Sequence, residues 1–249
     1  MISLYGPAIK TQYWQEIYEN FSASGIPFEI IFAGFNPPNF TLPGNFHFIF
    51  TNSKIALAAE MARRRCTGDF IMNIPDDVVF QKNALSLYME EYEKLTNKKT
   101  MITSWYGNQW NWVHEPDHRM NLKDPNSIIL PFIGMIPMQY QKEIGGIDRR
   151  FWSEYWDIDL FFRFHHSGGQ LKFTGRPDAE TLVGEIRHYG REQLQIDGCS
   201  IVWERTDATG NAWKHGVEDR AFLQHLFGHD GKSPRCLPVQ EYNDEELKS

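Results

Sequence analysis

The feature that most constrains this chain is the alternation of short apolar runs with amphipathic stretches over its first eighty residues. Residues 2–8 are an apolar run broken by Gly6 and Pro7, a strand running into a loop. Tyr13, Trp14, Ile17, Tyr18 and Phe21 then recur at helical spacing, and Gly25 with Pro27 closes that segment. Residues 28–32 read as a second strand, ended by Gly34, Pro37 and Pro38, and residues 46–50 as a third. Asn52 or Ser53 can cap a following helix that carries Ile55, Leu57, Ala58 and Met61 and ends near Thr67 and Gly68. Phe70, Ile71, Met72 and Ile74 form a nearly continuous apolar stretch, as a central strand buried on both faces requires, and it stops at Pro75-Asp76-Asp77. The pattern predicts an α/β fold: an open, largely parallel, doubly wound sheet flanked by helices and joined by right-handed crossovers.

Downstream, helices are expected at 82–95, 139–145, 157–166 and 217–227, with strands around a Trp-rich loop between 100 and 135. The charged segment from 240 reads as a flexible tail, and 249 residues fit one domain, with 1–80 as one half and 100–230 as the other. A net charge of -7 without a run of Lys or Arg argues against a nucleic-acid partner. Three widely spaced cysteines form no CxxC pair, so neither a disulfide framework nor a zinc knuckle is expected. With no basic leader and no 18-residue apolar span, the expectation is a soluble cytoplasmic protein without a transmembrane segment.

Three places carry candidate chemistry. Asp76 and Asp77 follow the predicted buried strand, at the carboxyl end where open α/β sheets bind ligands. Two adjacent carboxylates suit a hard divalent cation bridging to diphosphate oxygens, although Pro-Asp-Asp is equally good turn chemistry. Asp157 and Asp159 open a predicted helix, where one of them can serve as a cap, and Asp157 is the better candidate for an active carboxylate. His188 stands alone in Arg187-His188-Tyr189-Gly190. Indoles and phenols, gathered around Trp105 and around Trp156, suit the C–H faces of sugars and equally fill cores.

Two segments together resemble family-two glycosyltransferases. NSKIALAAEMARRRCTGDFIMNIPDD, from Asn52 to Asp77, is similar to the family's Asn-led helix ending in Thr-Gly-Asp/Glu and the strand that delivers a DxD-type metal motif. GGIDRRFWSEYWDIDLFFRFHHSG, from Gly145 to Gly168, resembles the acceptor segment written GGFDERF followed by EDVDL. The resemblance spans roughly residues 2–190 and implies a GT-A fold, an open mixed sheet flanked by helices. It implies an inverting transfer of a sugar from a nucleotide-diphosphate donor to a glycan or other hydroxyl acceptor, with Mn2+ or Mg2+. By position, Asp157 corresponds to the general base, Asp77 to the metal carboxylate and Asp76 to a donor or metal-shell contact. His188 resembles the downstream metal histidine, with His215 as its rival. Pro7, Gly34 and Asn52 fall on the donor side with Asp76, and Trp105, Glu154 and Trp156 are assigned to the acceptor side.

Several positions depart from that pattern. Ala33-Gly34-Phe35-Asn36 stands where the family has Asp-Asp-Gly-Ser, Ala59-Glu60 replaces Arg-Asn, Pro75 replaces the first Asp of DxD, and Trp156 replaces Glu. These departures leave the donor base and sugar open and keep a sugar-binding protein without turnover as the alternative. A nucleotidyltransferase is disfavoured, because Tyr5-Gly6-Pro7-Ala8 lacks a basic, Gly-rich phosphate loop.

Overall fold

A computed structural model describes residues 1–76, 78–103, 106–108, 133–173, 186–188, 212–228 and 231–248. The chain runs β1 (Ile2–Pro7), α1 (Trp14–Ser22), β2 (Phe28–Gly34), β3 (Phe46–Phe50), α2 (Ile55–Arg64), β4 (Phe70–Asn73), β5 (Val78–Phe80), α3 (Ala84–Glu93), β6 (Thr100–Thr103) and β7 (Tyr106–Asn108). It continues through β8 (Met135–Pro137), α4 (Met138–Ile144), α5 (Trp156–His166), β9 (Gln170–Phe173), β10 (Ile186–His188) and α6 (Ala212–Phe227). Seven strands form one sheet in the order β3-β2-β1-β4-β8-β6-β9, and β5-β10-β7 form a second.

The half of the large sheet built from the first eighty residues is parallel, as the early alternation predicts: β1 pairs in parallel with both β2 and β4, and β2 with β3. The sheet turns mixed at β8, which lies antiparallel to β4 and β6. Alternate residues of the central strands feed two cores. Tyr5, Ile31, Ala33 and Ile71 face α2, α4, α5 and α6, whereas Leu4, Ile30, Phe32 and Met72 face α1 and α3. Burial on both faces explains why these strands read as unbroken apolar runs.

Gly6 marks the tightest approach in the sheet. A Cβ there would stand 2.2 Å from the Ile74 carbonyl oxygen, and Ile74 N donates to Tyr5 O at 2.8 Å. Only glycine lets β1 lie this close to the chain leaving β4, where the turn at Pro75 and Asp76 begins.

Two expectations are corrected. Helix α2 starts after Lys54, and neither Asn52 nor Ser53 supplies a side-chain cap. Its entry is instead held by Ala56 N donating to Trp152 O, a partner far along the chain that local pattern could not reveal. The segment from 240 is packed rather than loose. Tyr242 is buried, Gly146 N donates to Glu241 (2.8 Å), and Arg64 donates to Tyr242 O (2.5 Å). Charge composition reads as solvation, but here the charges pair with partners on α2 and the 145–150 loop. Among the described residues no helix is long and apolar enough to cross a membrane.

Replacing Gly6 by Ala is expected to destabilise the fold by about 1–3 kcal/mol, since a methyl group must displace backbone. Urea denaturation monitored by circular dichroism reads this as a lower midpoint at unchanged slope.

Candidate active site

The carboxyl ends of β1, β2 and β4 converge where Pro7, Gly34 and Asp76 lie, Pro7 standing across from Ala33 in the ladder. Asp76 is buried, and its Oδ2 accepts hydrogen bonds from Ile9 N and Lys10 N, both at 2.5 Å, and from Trp14 Nε1 at 3.3 Å. Its carboxylate therefore clamps the loop between β1 and α1. Asn36, at one of the positions departing from the family pattern, donates its amide to Ile9 O (2.8 Å) and ties the β2 loop to the same place. Asn52 is exposed in the loop after β3.

Asp77 and Trp105 lie outside the described residues. The residue after Asp77, Val78, opens β5, and its Cα partner across the antiparallel ladder is His188 of β10. The backbone therefore brings the His188 position beside Val78, the residue that follows Asp77 in sequence, although 110 residues separate the two in the chain. His215 belongs to the backbone of α6. Among the described residues no three His, Cys, Asp or Glu side chains cluster as metal ligands, and Asp77 and the His188 side chain fall outside that set.

The opposite wall is the start of α5. Asp157 lies in its first turn, partly buried, with Oδ1 accepting from Ile158 N at 2.9 Å. Oriented amides at a helix N-terminus favour a charged carboxylate. Asp157 lines a cavity of about 50 Å³ with Tyr5 of β1, Asn73 of β4 and Gln141 of α4. The helix that carries Asp157 and the strand that leads to Asp76 and Asp77 therefore meet at one cleft.

The turn before α5 is held from behind. Tyr155 adopts φ 64°, the left-handed region, at a cost of about 1–3 kcal/mol that its surroundings must offset. Asp219 of α6 provides the anchor: its carboxylate accepts from Trp152 N (2.9 Å), Ser153 N (2.8 Å) and Glu154 N (3.0 Å). Behind it, Asp148 and Asp159 are wholly buried. Asp159 takes Arg163 (2.8 Å) and Arg235 (3.0 Å), and Asp148 takes Arg150 (2.6 Å) and Arg235 as well. Of the two aspartates opening α5, Asp159 is thus the structural one.

Glu60, one of the departing positions, is also a scaffold residue. It accepts from Arg63 (2.6 Å), Arg64 (2.8 Å) and Ile147 N (3.0 Å), joining α2 to the 145–148 loop. Burial alone would raise its pKa, but the bonds from Arg63 and Arg64 and the Ile147 amide outweigh it and hold the carboxyl below its ordinary range. Asp219 and Arg235 escaped the sequence reading because a lone acid in a helix and a lone Arg in a polar loop carry no local signal.

Glu154 is exposed. Trp156 corrects its assignment: at 4% exposure its indole packs in the core and has no face left for a sugar. Trp152, at 40% exposure with Lys54 Nζ 5.5 Å from its ring centroid, is the exposed indole of this turn.

No family model matches the chain, and no curated protein does. Solved structures do. The crystal structure of S. aureus TarS 1-349 matches at a TM-score of 0.54 and 10% identity, covering 91% of this chain and 71% of that one. The same fragment in complex with UDP matches at 0.53 and 11%, with the same coverage. S. aureus TarS itself matches at 0.51 and 9%, over 93% of this chain and 44% of that one. The fold is GT-A-like. At such identity the likeness carries the architecture alone, and the GT-A-like sheet orients the cleft just described with its strand ends toward α5.

Replacing Asp219 by Ala leaves three backbone donors of the 152–154 turn without their acceptor and should cost about 2–3 kcal/mol. Thermal unfolding checks this as a lowered Tm, together with faster hydrogen exchange at those amides.

Proposed function

We propose that the chain is a glycosyltransferase that moves a sugar from a nucleotide-diphosphate donor to an acceptor hydroxyl by single displacement. The observation that carries this reading is the cavity shared by Asp157 and Asn73, which joins the start of α5 to the strand running into Asp76-Asp77. The crystal structure of TarS 1-349 in complex with UDP supports a nucleotide-linked donor on this fold.

In the reaction, Asp157 accepts the proton of the acceptor hydroxyl as that oxygen bonds the anomeric carbon. The bond from that carbon to the diphosphate oxygen breaks in line, and the anomeric centre inverts. A positioned base of this kind contributes typically about 10²- to 10⁴-fold. Asp76, by fixing the amides of Ile9 and Lys10, keeps the loop after β1 shaped for the donor beside Pro7 and Gly34. Asn52, on the loop after β3, falls on the same donor side. Glu154 flanks the acceptor from the turn that Asp219 holds, and Trp105 keeps the acceptor-side role assigned to it from the sequence.

Asp77 and His188 would hold Mn2+ or Mg2+, which would supply positive charge where the diphosphate leaves. The ladder register of His188 with Val78 supports this pair over His215, and a carboxylate with an imidazole suits Mn2+ at least as well as Mg2+. The second reading, a nucleotide-sugar-binding protein without turnover, draws support from the Asp76 carboxylate being engaged by backbone and from Asn36 being tied to Ile9.

Release of nucleotide from a panel of nucleotide sugars, with and without manganese, separates the two readings. Transfer or hydrolysis by the wild-type chain is expected, and binding without any release at high protein concentration would favour the second. Asp157→Asn should lower transfer by about 10²- to 10⁴-fold while keeping the donor-induced rise in melting temperature. Retained transfer would remove Asp157 from the role of base.

A further inference from the structure

The cavity beside Asp157 has polar walls that the proposed reaction leaves unused. Tyr5 and Asn73 are Cα partners on the parallel strands β1 and β4, so their side chains leave the sheet on one face as direct neighbours. Both line the cavity together with Asp157 and Gln141, whose Nε2 donates to Gly145 O at 3.0 Å, and the rest of its wall is mostly apolar: Ile71, Met101, Ile136, Ile144, Leu160 and Phe161. A phenol in a central, doubly covered strand is out of place by core chemistry alone, where Val or Ile would pack as well.

A volume of about 50 Å³ accommodates ordered water, since one molecule needs roughly 10–15 Å³ on this measure and two to four polar partners. Tyr5, Asn73 and Asp157 supply those partners. We propose that Tyr5 and Asn73 are positioning residues for Asp157, acting through water held in this cavity to keep the carboxylate charged and fixed in orientation. The inference rests on the reading of Asp157 as the base.

The electrostatics agree with that geometry. Burial above all, with the Asp157 carboxylate among the smaller contributors, pushes the Tyr5 phenol far above its ordinary range, so it stays protonated and able to donate at any working pH. Donation to a carboxylate favours its charged form, which opposes the rise that apolar surroundings would impose. Among the described residues, those that act on the Tyr5 phenol besides Asp157 are Arg63 and Glu60 of α2, paired with each other, and Cys66 just beyond that helix, while Asp159 and Arg163 on α5 are also paired. Asp219 of α6 is engaged by the 152–154 amides. None of these lines the cavity, whose hydrogen-bonding walls are Tyr5, Asn73 and Gln141.

The test is a pH titration of the full chain, without substrate, by carbon NMR of labelled aspartate, with Asp157→Asn identifying the resonance. In Tyr5→Phe and in Asn73→Leu the Asp157 midpoint should rise by about 0.5–1 unit, and Asn73→Ser, which keeps a hydroxyl partner, should bring it back toward wild type. Tyr5→Phe removes only an oxygen and keeps the ring, so its fold is retained. Midpoints unmoved in both Tyr5→Phe and Asn73→Leu would overturn the proposal. The titration needs no turnover, so it decides this point even if the wild-type chain transfers no sugar. In the transferring enzyme the same variants should lower kcat roughly 5- to 20-fold with KM held, the acidic limb of the profile moving up with the midpoint. A loss confined to KM would contradict a positioning role.

Discussion

The parallel pairing of β1 with β4 is the constraint on which the site depends. It is possible only because Gly6 presents no Cβ to the Ile74 carbonyl. That approach aligns Tyr5 with Asn73 and turns the chain at Pro75. It also brings the Asp76 carboxylate back over the Ile9 and Lys10 amides. One missing methyl group thus sets strand spacing, loop shape and the direction in which the chain leaves the sheet at Asp76.

The facing wall is built by charge rather than by pleat. Asp148, Asp159 and Glu60 are buried carboxylates, and each meets at least two arginine or backbone donors, the condition under which buried charge is tolerated. Arg235 joins Asp148 to Asp159, and Asp219 collects the amides of the turn that ends in left-handed Tyr155. The result is a rigid mount for the first turn of α5. A base needs a fixed position more than it needs an unusual environment, because misplacement by an ångström costs orders of magnitude in rate.

Much of this architecture is legible in the sequence, for physical reasons. Strands buried on both faces must be continuously apolar, so β1, β2 and β4 declare themselves, and amphipathic helices such as α2 show their spacing. Asp157 and Asp159 are legible as the acids of the first turn of α5, but the ion pairs that make Asp159 structural come from Arg163 and Arg235 and carry no local signal. The rest depends on partners distant in the chain. Nothing near Asp219 announces the 152–154 amides, nothing near Glu241 announces Gly146, and only a ladder reveals that His188 stands across from Val78. Trp156 shows the opposite failure: its position in a motif suggested a surface role, and packing gave it a core one.

In the proposed reaction the strand ends and the start of α5 flank one reacting sugar. The most direct measurement is a crystal structure of the chain soaked with manganese and a nucleotide diphosphate, with the ion located by anomalous scattering. The account predicts a peak between Asp77 and His188, with the nucleotide over Pro7 and Gly34 and its diphosphate facing Asp157 across the cleft. An ion and nucleotide bound on another face, with Asp157 remote from both, would contradict it.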